Sequence, residues 1–354
     1  MEKHVIENLI NKLNINKKIN INNQDIYKII NNKTILVTGG GGSIGSALCE
    51  KIIEYKPSQI IIFDIYENSA YMTYQNLLIK KQKMNLSTNI RVIIGSVSIK
   101  ENIKKVFEEN KVNIVFHAAA YKHVPLMEEV PKQAINTNCL GTYNVASCCK
   151  KYNAEKMVLI SSDKAINPIN IMGASKKIAE DIILNFSVKS KTCKYSIVRF
   201  GNVFNSNGSL IPILLNQIEK QSDITITSKD ATRYFISIED AISLILHTLI
   251  FNNQKEIYVL DMGKQINILT LAEELIKQCN MIPYKDINIK FVGLRKGEKL
   301  VEETLDYSSM GKTSNNLIYS ISCNNIKDIK EILSFLKQYK NNDNVKKAIL
   351  DFTK

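Results

Sequence analysis

The sequence predicts an α/β protein, a doubly wound parallel sheet with a smaller, sequence-discontinuous C-terminal lobe, and three observations carry that expectation. An apolar strand, Thr34 to Thr38, runs straight into a glycine-rich turn and then into an amphipathic helix through Ile53. Apolar runs and helical patterns then alternate as far as the strand Lys156 to Ile160, which argues a parallel sheet with helices on both faces. That strand ends in Ser161-Ser162-Asp163-Lys164, a carboxylate and an amine at the carboxyl end of a strand, where open α/β sheets place their chemistry. The same four residues would equally serve as the polar cap of a strand end.

The glycines of Gly39-Gly40-Gly41-Gly42-Ser43-Ile44-Gly45 suit a tight turn, close approach of a pyrophosphate to bare backbone, and close packing of helix on strand. The helix that follows offers free N–H groups and the positive end of its dipole. A second strand, Gln59 to Phe63, ends in Asp64, whose carboxylate would accept hydrogen bonds from ribose hydroxyls and repel a 2′-phosphate. NAD rather than NADP is therefore the expected cofactor, on a Rossmann-type sheet. Further elements are read at Ile90 to Gly95, Lys100 to Glu109, Val112 to His117 and Lys132 to Tyr152. The small residues Ala118, Ala119 and Ala120 let a flat ligand lie against backbone, although packing of helix on sheet needs small residues too.

With 354 residues the chain suffices for one large domain or two intimate ones. Its 45% apolar and 23% charged residues are those of an ordinary globular protein. No apolar run is long enough to span a bilayer and the N-terminus has no signal-peptide pattern, so a cytoplasmic protein is expected. The seven cysteines lack metal-ligand spacing and a disulfide framework. They are expected to be reduced core residues, with no metal site. A net charge of +13 favours anionic partners. The lysines are scattered and no basic run alternates with aromatics, which weighs against nucleic acid and leaves a phosphorylated small molecule.

Four parts are expected: an N-terminal arm at 1–33, a cofactor domain at 34–203 to which 236–262 returns, a second lobe at 204–235 and 263–322, and a helical tail at 323–354. Helices are read at Ile238 to Ile250, Leu269 to Cys279, Ile326 to Tyr339 and Val345 to Phe352, with a strand at Ile257 to Leu260.

Eight stretches in order, TGGGGSIGSALCEKI at 38–52, FD at 63–64, HAAAYKHVPLME at 117–128, NTNCLGT at 136–142, SSDKAINPINIMGASK at 161–176, RFGNVFNSNGSLIP at 199–212, TRYFISIEDA at 232–241 and GLRKGEKLVEE at 293–303, resemble the extended short-chain dehydrogenases/reductases. More narrowly, they are similar to the nucleotide-sugar 4,6-dehydratases of bacterial polysaccharide and protein-glycosylation pathways. The arm, with ENLINKLNI at 7–15, resembles the segment preceding the dehydratase domain in long, membrane-anchored members; with no span before it, the chain looks like a soluble form. Two departures stand out. Gly95-Ser96-Val97-Ser98 replaces the acids usual after the third strand, leaving Ser96 and the Val97 backbone to contact adenine. Met172 replaces the tyrosine of a Tyr-x-x-x-Lys pair, and a thioether cannot take a proton. By resemblance, methionine there marks the branch that retains configuration at C5.

The resemblance implies a hydro-lyase acting on UDP-N-acetylglucosamine by C4 oxidation, loss of water across C5 and C6, and hydride return to C6. Asp163 would take the O4 proton, directly or through Ser162, and pass it to the departing C6 hydroxyl. Lys164, kept neutral by Lys176 and the cofactor, would be the C5 base, and Lys176 would hold the nicotinamide ribose. Gly39, Gly42, Ser43, Ile44, Gly45, Asp64, Ser96, Val97, Ala118, Ala119, Ala120 and Asn138 would bind NAD. Lys122, His123, Asn202, Ser209, Leu210, Pro212, Arg233, Arg295 and Glu298 would bind the sugar nucleotide, Arg233 through its diphosphate. Arg199, inside a strand, reads better as a structural ion-pair partner. A homo-oligomer is also expected. Two other readings stay open: a C5-inverting dehydratase or 4-epimerase, which normally keeps the tyrosine, and a non-catalytic NAD-binding sensor, which has no need of Asp163, Lys164 and Lys176 together.

Overall fold

Nine strands of this chain hydrogen-bond into one sheet, and the inner ones are continuous apolar runs because helices cover both faces. The computed structural model describes residues 2–17, 19, 21–251, 253, 255–303, 306–342 and 345–354. In chain order the first half comprises α1 (Glu2–Lys12), α2 (Asn23–Ile30), β1 (Thr34–Thr38), α3 (Ser43–Ile52), β2 (Gln59–Asp64), α4 (Glu67–Lys83), β3 (Asn89–Ile94), α5 (Lys100–Glu109) and β4 (Ile114–His117). It continues through α6 (Val124–Glu129), α7 (Pro131–Ala134), α8 (Gly141–Lys151), β5 (Lys156–Ile160), α9 (Ile171–Lys189) and β6 (Lys194–Arg199). The second half interleaves β7 (Asn202–Val203), α10 (Leu210–Glu219), β8 (Ile224–Ile226), β9 (Thr232–Arg233), β10 (Phe235–Ile236), α11 (Ile238–His247), β11 (Glu256–Leu260), β12 (Ile266–Asn267), α12 (Ile268–Gln278) and β13 (Ile289–Phe291). The edge strands β14 (Gly311–Lys312) and β15 (Ile318–Ser322) and the tail helices α13 (Ile329–Tyr339) and α14 (Lys346–Phe352) complete it.

The strand order is β14-β15-β11-β6-β5-β4-β1-β2-β3. From β1 the chain moves outward through β2 and β3, then returns to β4 on the other side and moves away again. The reversal opens a crevice above the carboxyl ends of β1 and β4, the usual ligand position in a doubly wound sheet. The expected fold class is the one observed.

Three differences from the sequence reading concern particular segments. Residues 311–322, expected in the second lobe, form β14 and β15 on the main sheet, with β15 antiparallel to β11. The helix expected over 132–152 is broken by a π-helical turn, Ile135–Leu140, between α7 and α8. Helix α4 had no counterpart in the sequence reading; it buries only Ala70, Thr73 and Leu77.

The arm bridges both lobes. Val5, Ile6 and Leu9 of α1 join the cluster that holds Leu271, Leu275 and Ile276 of α12. Ile26 and Ile30 of α2 join the main core, next to the short turns Ile53–Tyr55 and Thr248–Ile250 that follow α3 and α11. Between them, Lys17 donates its backbone N–H to Asp240 at 3.0 Å and pairs with Asp261 at 2.7 Å. In the tail, Ile332, Phe335, Leu336 and Ile349 pack with Met172, Ile178 and Ile182 of α9. The Lys346 ammonium pairs with Glu128, whose side chain is fully buried and whose other oxygen accepts the Ile171 N–H at 2.9 Å, at the first turn of α9. Five cysteines, Cys49, Cys139, Cys148, Cys149 and Cys193, are buried. Among the described residues no helix is long and apolar enough to cross a membrane.

Candidate active site

The crevice above β1 and β4 is a cleft of about 500 Å³. Its first wall is the glycine turn. Gly39 has φ +68°, and a Cβ there would lie 2.6 Å from the Ala119 nitrogen, so glycine alone lets the β1 loop rest on the β4 loop. A Cβ at Gly45 would collide with the Gly39 carbonyl oxygen. Helix α3 begins at Ser43, and its first N–H groups have no intrahelical partner. Gly39, Gly42, Ser43, Ile44, Gly45, Ala118 and Ala120 all line the cleft. Bare backbone, donors and a cleft of this size fit a dinucleotide. Replacing Gly45 with alanine is expected to weaken NAD binding by at least about tenfold, read by calorimetric titration; undiminished affinity would show that this turn is not the cradle.

Asp64 ends β2 and fastens this turn, accepting the Gly41 N–H at 2.8 Å and the Tyr66 N–H at 2.9 Å. Its carboxylate is half-buried and is not among the groups lining the cleft. Ser96, Val97, Ala119 and Asn138, also expected to contact the cofactor, are not among the residues lining the cleft. The Ser96 hydroxyl pairs with Ser98 at 2.8 Å, and the Val97 carbonyl accepts from Asn144 at 2.9 Å. Asn138, expected to touch the cofactor, is buried and bonds instead to the Tyr121 backbone N–H at 2.9 Å, the Tyr121 carbonyl at 3.0 Å and the Ser175 hydroxyl at 2.9 Å. It braces the loop after β4. Ala119 likewise packs beneath the glycine turn.

The reactive groups stand where β5 ends. Ser161 is turned inward and donates to Glu180 at 2.6 Å; Glu180 is fully buried and receives Arg199 as a two-pronged partner at 2.7 and 2.5 Å. Arg199 is therefore structural, as its place in a strand suggested. Ser162 donates to Asp163 Oδ1 at 2.8 Å and accepts the Lys164 N–H at 3.2 Å, capping the short turn Asp163–Ala165. The other Asp163 oxygen, Oδ2, is buried with no hydrogen-bond partner among the described residues. A buried carboxylate oxygen without a donor is costly to maintain, and this one stands 3.1 Å from where a Cβ on Gly201, a residue of the cleft lining, would be. Lys176 reaches the Ile160 carbonyl at 2.5 Å, and burial pushes its pKa down to about 8. Met172 lines the cleft one turn before it. His117 is not part of this chemistry: Thr38 and Thr142 bond its two nitrogens at 2.6 and 3.0 Å, and burial lowers its pKa to about 3, so the ring is neutral.

Lys164 differs from its expected state. Burial works to lower its pKa, but the carboxylates of Asp163, at 3.1 Å, and Glu302, at 3.2 Å, outweigh that, and the net shift is upward. The amine is held as an ammonium, whereas Lys176 and the cofactor together were expected to favour the neutral form. Neither Glu302 nor Gly173 carries a signal of its place here in the sequence; a Cβ at Gly173 would overlap the Lys164 carbonyl and drive the Asp163–Lys164 turn off α9.

A second cavity of about 210 Å³ adjoins the first and shares Lys122, His123, Lys164 and Asn202 with it. Arg295, Glu298 and Arg233 line it. Four donors of Arg233 are already taken, by the carbonyls of Thr232 at 2.7 Å, Leu300 at 3.0 Å and Lys299 at 2.8 Å and by Glu298 at 2.6 Å. The expected fork offered to a diphosphate does not match this geometry; Arg233 shapes the 298–302 segment. Lys122 Nζ bonds the Asn207 carbonyl at 2.7 Å, and burial lowers its pKa. Burial, then the Lys122 charge, does the same to His123. Ser209 and Leu210 line the first cavity at the start of α10, and the buried Ser209 hydroxyl has no partner among the described residues. Pro212 is half-buried in the first turn of that helix, outside the cleft lining. The Asn207 N–H donates to the Ser43 hydroxyl at 2.9 Å, drawing this loop over the glycine turn.

Residues 35–323 match a family described as polysaccharide biosynthesis protein. The capsular polysaccharide biosynthesis protein CapD of Staphylococcus aureus is 44% identical over 281 residues, which is 79% of this chain and 46% of CapD. The chain thus spans about half the length of that relative. A UDP-glucose 4-epimerase of Rickettsia bellii is 35% identical over 286 residues, 79% of this chain and 80% of the epimerase. Among solved structures, Pen from Bacillus thuringiensis superposes with a TM-score of 0.73 at 29% identity, covering 85% of this chain and 90% of Pen. DesIV, a dTDP-glucose 4,6-dehydratase from Streptomyces venezuelae solved with NAD and TYD bound, shares the fold with a TM-score of 0.69 at 17% identity, covering 89% of this chain and 99% of DesIV.

Proposed function

The chain belongs to the polysaccharide biosynthesis protein family, whose nucleotide-sugar dehydratase and epimerase fold it has, and from that premise we propose that it is an NAD-dependent UDP-N-acetylglucosamine 4,6-dehydratase that retains configuration at C5. The observation that carries this reading is that Lys164, paired with Asp163 at 3.1 Å, lines a cleft in which Met172 occupies the place of a proton-exchanging tyrosine. A dehydratase needs two proton-handling groups beside the sugar ring, one for oxygen and one for carbon, and this pair supplies both.

The glycine turn, the α3 N-terminus, Asp64 and Lys176 would hold NAD, which when bound supplies hydride acceptance from C4 and hydride return to C6. The free oxygen of Asp163 accepts the O4 proton as C4 is oxidised, with Ser162 bonded to the other oxygen and holding the carboxylate in place. The C4 ketone then acidifies the C5 proton, which Lys164 removes. Asp163 passes its proton to the C6 hydroxyl, which leaves as water. Lys164 then delivers one of its N–H protons to the face from which the C5 proton came, giving retention. The O4 proton thus ends in the water, and C5 regains a proton from an amine whose N–H groups exchange with solvent, so the cycle closes without a tyrosine. Because Lys164 is protonated at rest, it must first shed a proton, and turnover is expected to rise with pH through its titration.

The 35% identity to a UDP-glucose 4-epimerase supports a second reading, epimerisation at C4 on the same scaffold. Incubation with UDP-N-acetylglucosamine in deuterated water, followed by proton NMR, separates the two. The expected product is the 4-keto-6-deoxy sugar in the xylo configuration with deuterium at C5. The arabino sugar would identify an inverting dehydratase, and the C4 epimer without loss of water an epimerase. NAD binding without conversion would leave the sensor reading.

A further inference from the structure

The Lys164 ammonium has three N–H donors, and three acceptors from separate segments surround it: Asp163 Oδ1 at 3.1 Å, Asn202 Oδ1 at 3.2 Å and Glu302 Oε1 at 3.2 Å. We propose that Glu302 is a positioning residue for Lys164, holding the amine beside Asp163 and setting the pH at which it gives up its proton. The inference rests on Lys164 being the C5 base of the proposed reaction.

Glu302 is well placed to act as a fixed charge. Its residue is 5% exposed, and its other cationic neighbour is Arg233, whose Nε stands 3.6 Å from the same oxygen. Arg233 cannot swing away, because four backbone or side-chain acceptors hold its other donors. The Glu302 carbonyl accepts from Gln265 at 3.0 Å, and the Gln265 oxygen receives the Thr232 hydroxyl, so the segment is pinned from behind as well. The other charged groups facing these cavities are Lys122 and His123 from the loop after β4, Lys176 from α9, and Arg295, Glu298 and Lys299 from the 293–299 turn. Among the described residues, Asp163 and Glu302 are the two carboxylates within ion-pair distance of the amine. An opposite charge at this range typically moves a pKa by about one to three units. Asp163 must also exchange protons with the sugar, so Glu302 is the carboxylate free to act as a constant field.

The test is competitive acetylation of the whole protein with acetic anhydride across pH, with labelling of Lys164 quantified by mass spectrometry. In Glu302→Gln the half-labelling pH of Lys164 is expected to fall by about one unit or more, while that of the exposed Lys105 stays where it is. Glu302→Asp keeps the charge and is expected to restore most of the wild-type value, and it serves as the reporter if the glutamine variant does not fold. An unmoved labelling pH in both variants overturns the proposal. The readout does not need turnover, so it stands apart from the dehydratase reading. Should the sugar be converted, the ascending limb of kcat against pH is expected to move by the same interval. Conversion with an unmoved labelling pH refutes the role of Glu302 alone; a moved labelling pH without conversion supports that role and refutes the base assignment.

Discussion

Lys164→Met is expected to lower turnover of the nucleotide sugar by about 10²–10⁴-fold, the range for removing a general base, while NAD binding measured by calorimetry is unchanged. The methionine variant also strips the countercharge from two carboxylates, so a second variant is informative. Lys164→Arg keeps a cation between Asp163 and Glu302 but cannot lose its proton in the working pH range. Both variants are expected to be inactive. An active arginine variant would mean that the positive charge, not the proton, is what the site needs, and an active methionine variant would remove Lys164 from the chemistry altogether.

Arg199→Met is expected to destabilise the protein by about 3–5 kcal/mol, the usual penalty for leaving a buried partner uncompensated. Glu180 is fully buried beneath β5 and has no route to water, and it also receives the Ser161 hydroxyl at 2.6 Å. Losing its guanidinium would therefore disturb the strand end that carries Ser162 and Asp163. A fall in melting temperature, with urea unfolding as a second readout, checks the effect. Replacing Glu180 and Arg199 together by apolar residues is expected to cost less than either single change, because no lone charge is left buried. An Arg199→Met protein that melts with the wild type would show that the pair is solvated in solution.

The alternation of strands and helices up to Ile160 and the cleft position were legible because they rest on short-range patterns, an apolar run ending in glycines or in a charged pair. Helix α4 was not, since Tyr71, Met72 and Ile79 are exposed and its three buried positions include Ala70 and Thr73, leaving almost no apolar stripe to read. The π turn at Ile135–Leu140 is a change of hydrogen-bond register, and residue type does not announce it. β15 reads as an ordinary alternating strand, Ile-Tyr-Ser-Ile-Ser, and nothing local says which sheet it will join. The same limit explains the site. Asp163 beside Lys164 is visible in a single line of sequence, whereas Glu302 meets that lysine only after the chain has crossed both lobes. The upward shift of Lys164 comes from Asp163 beside it and then from that distant carboxylate, so adjacency to Lys176 was a poor guide. Arg233 shows the converse: its residue type suits a phosphate, and its folded surroundings have already used its donors.

The match to the polysaccharide biosynthesis protein family ends at residue 323, yet the helix bearing Met172 and Lys176 is fastened from beyond that limit. Glu128 joins the first turn of α9 to Lys346 on α14, and Phe335 and Leu336 close over the same helix. The unit that kinship defines and the unit that bears mechanical load are therefore different lengths of chain. A shortened protein cut where the likeness stops would keep every residue proposed for catalysis while leaving an acid stranded in an apolar seam, so inactivity in such a fragment would report a missing brace before it reported a missing reaction.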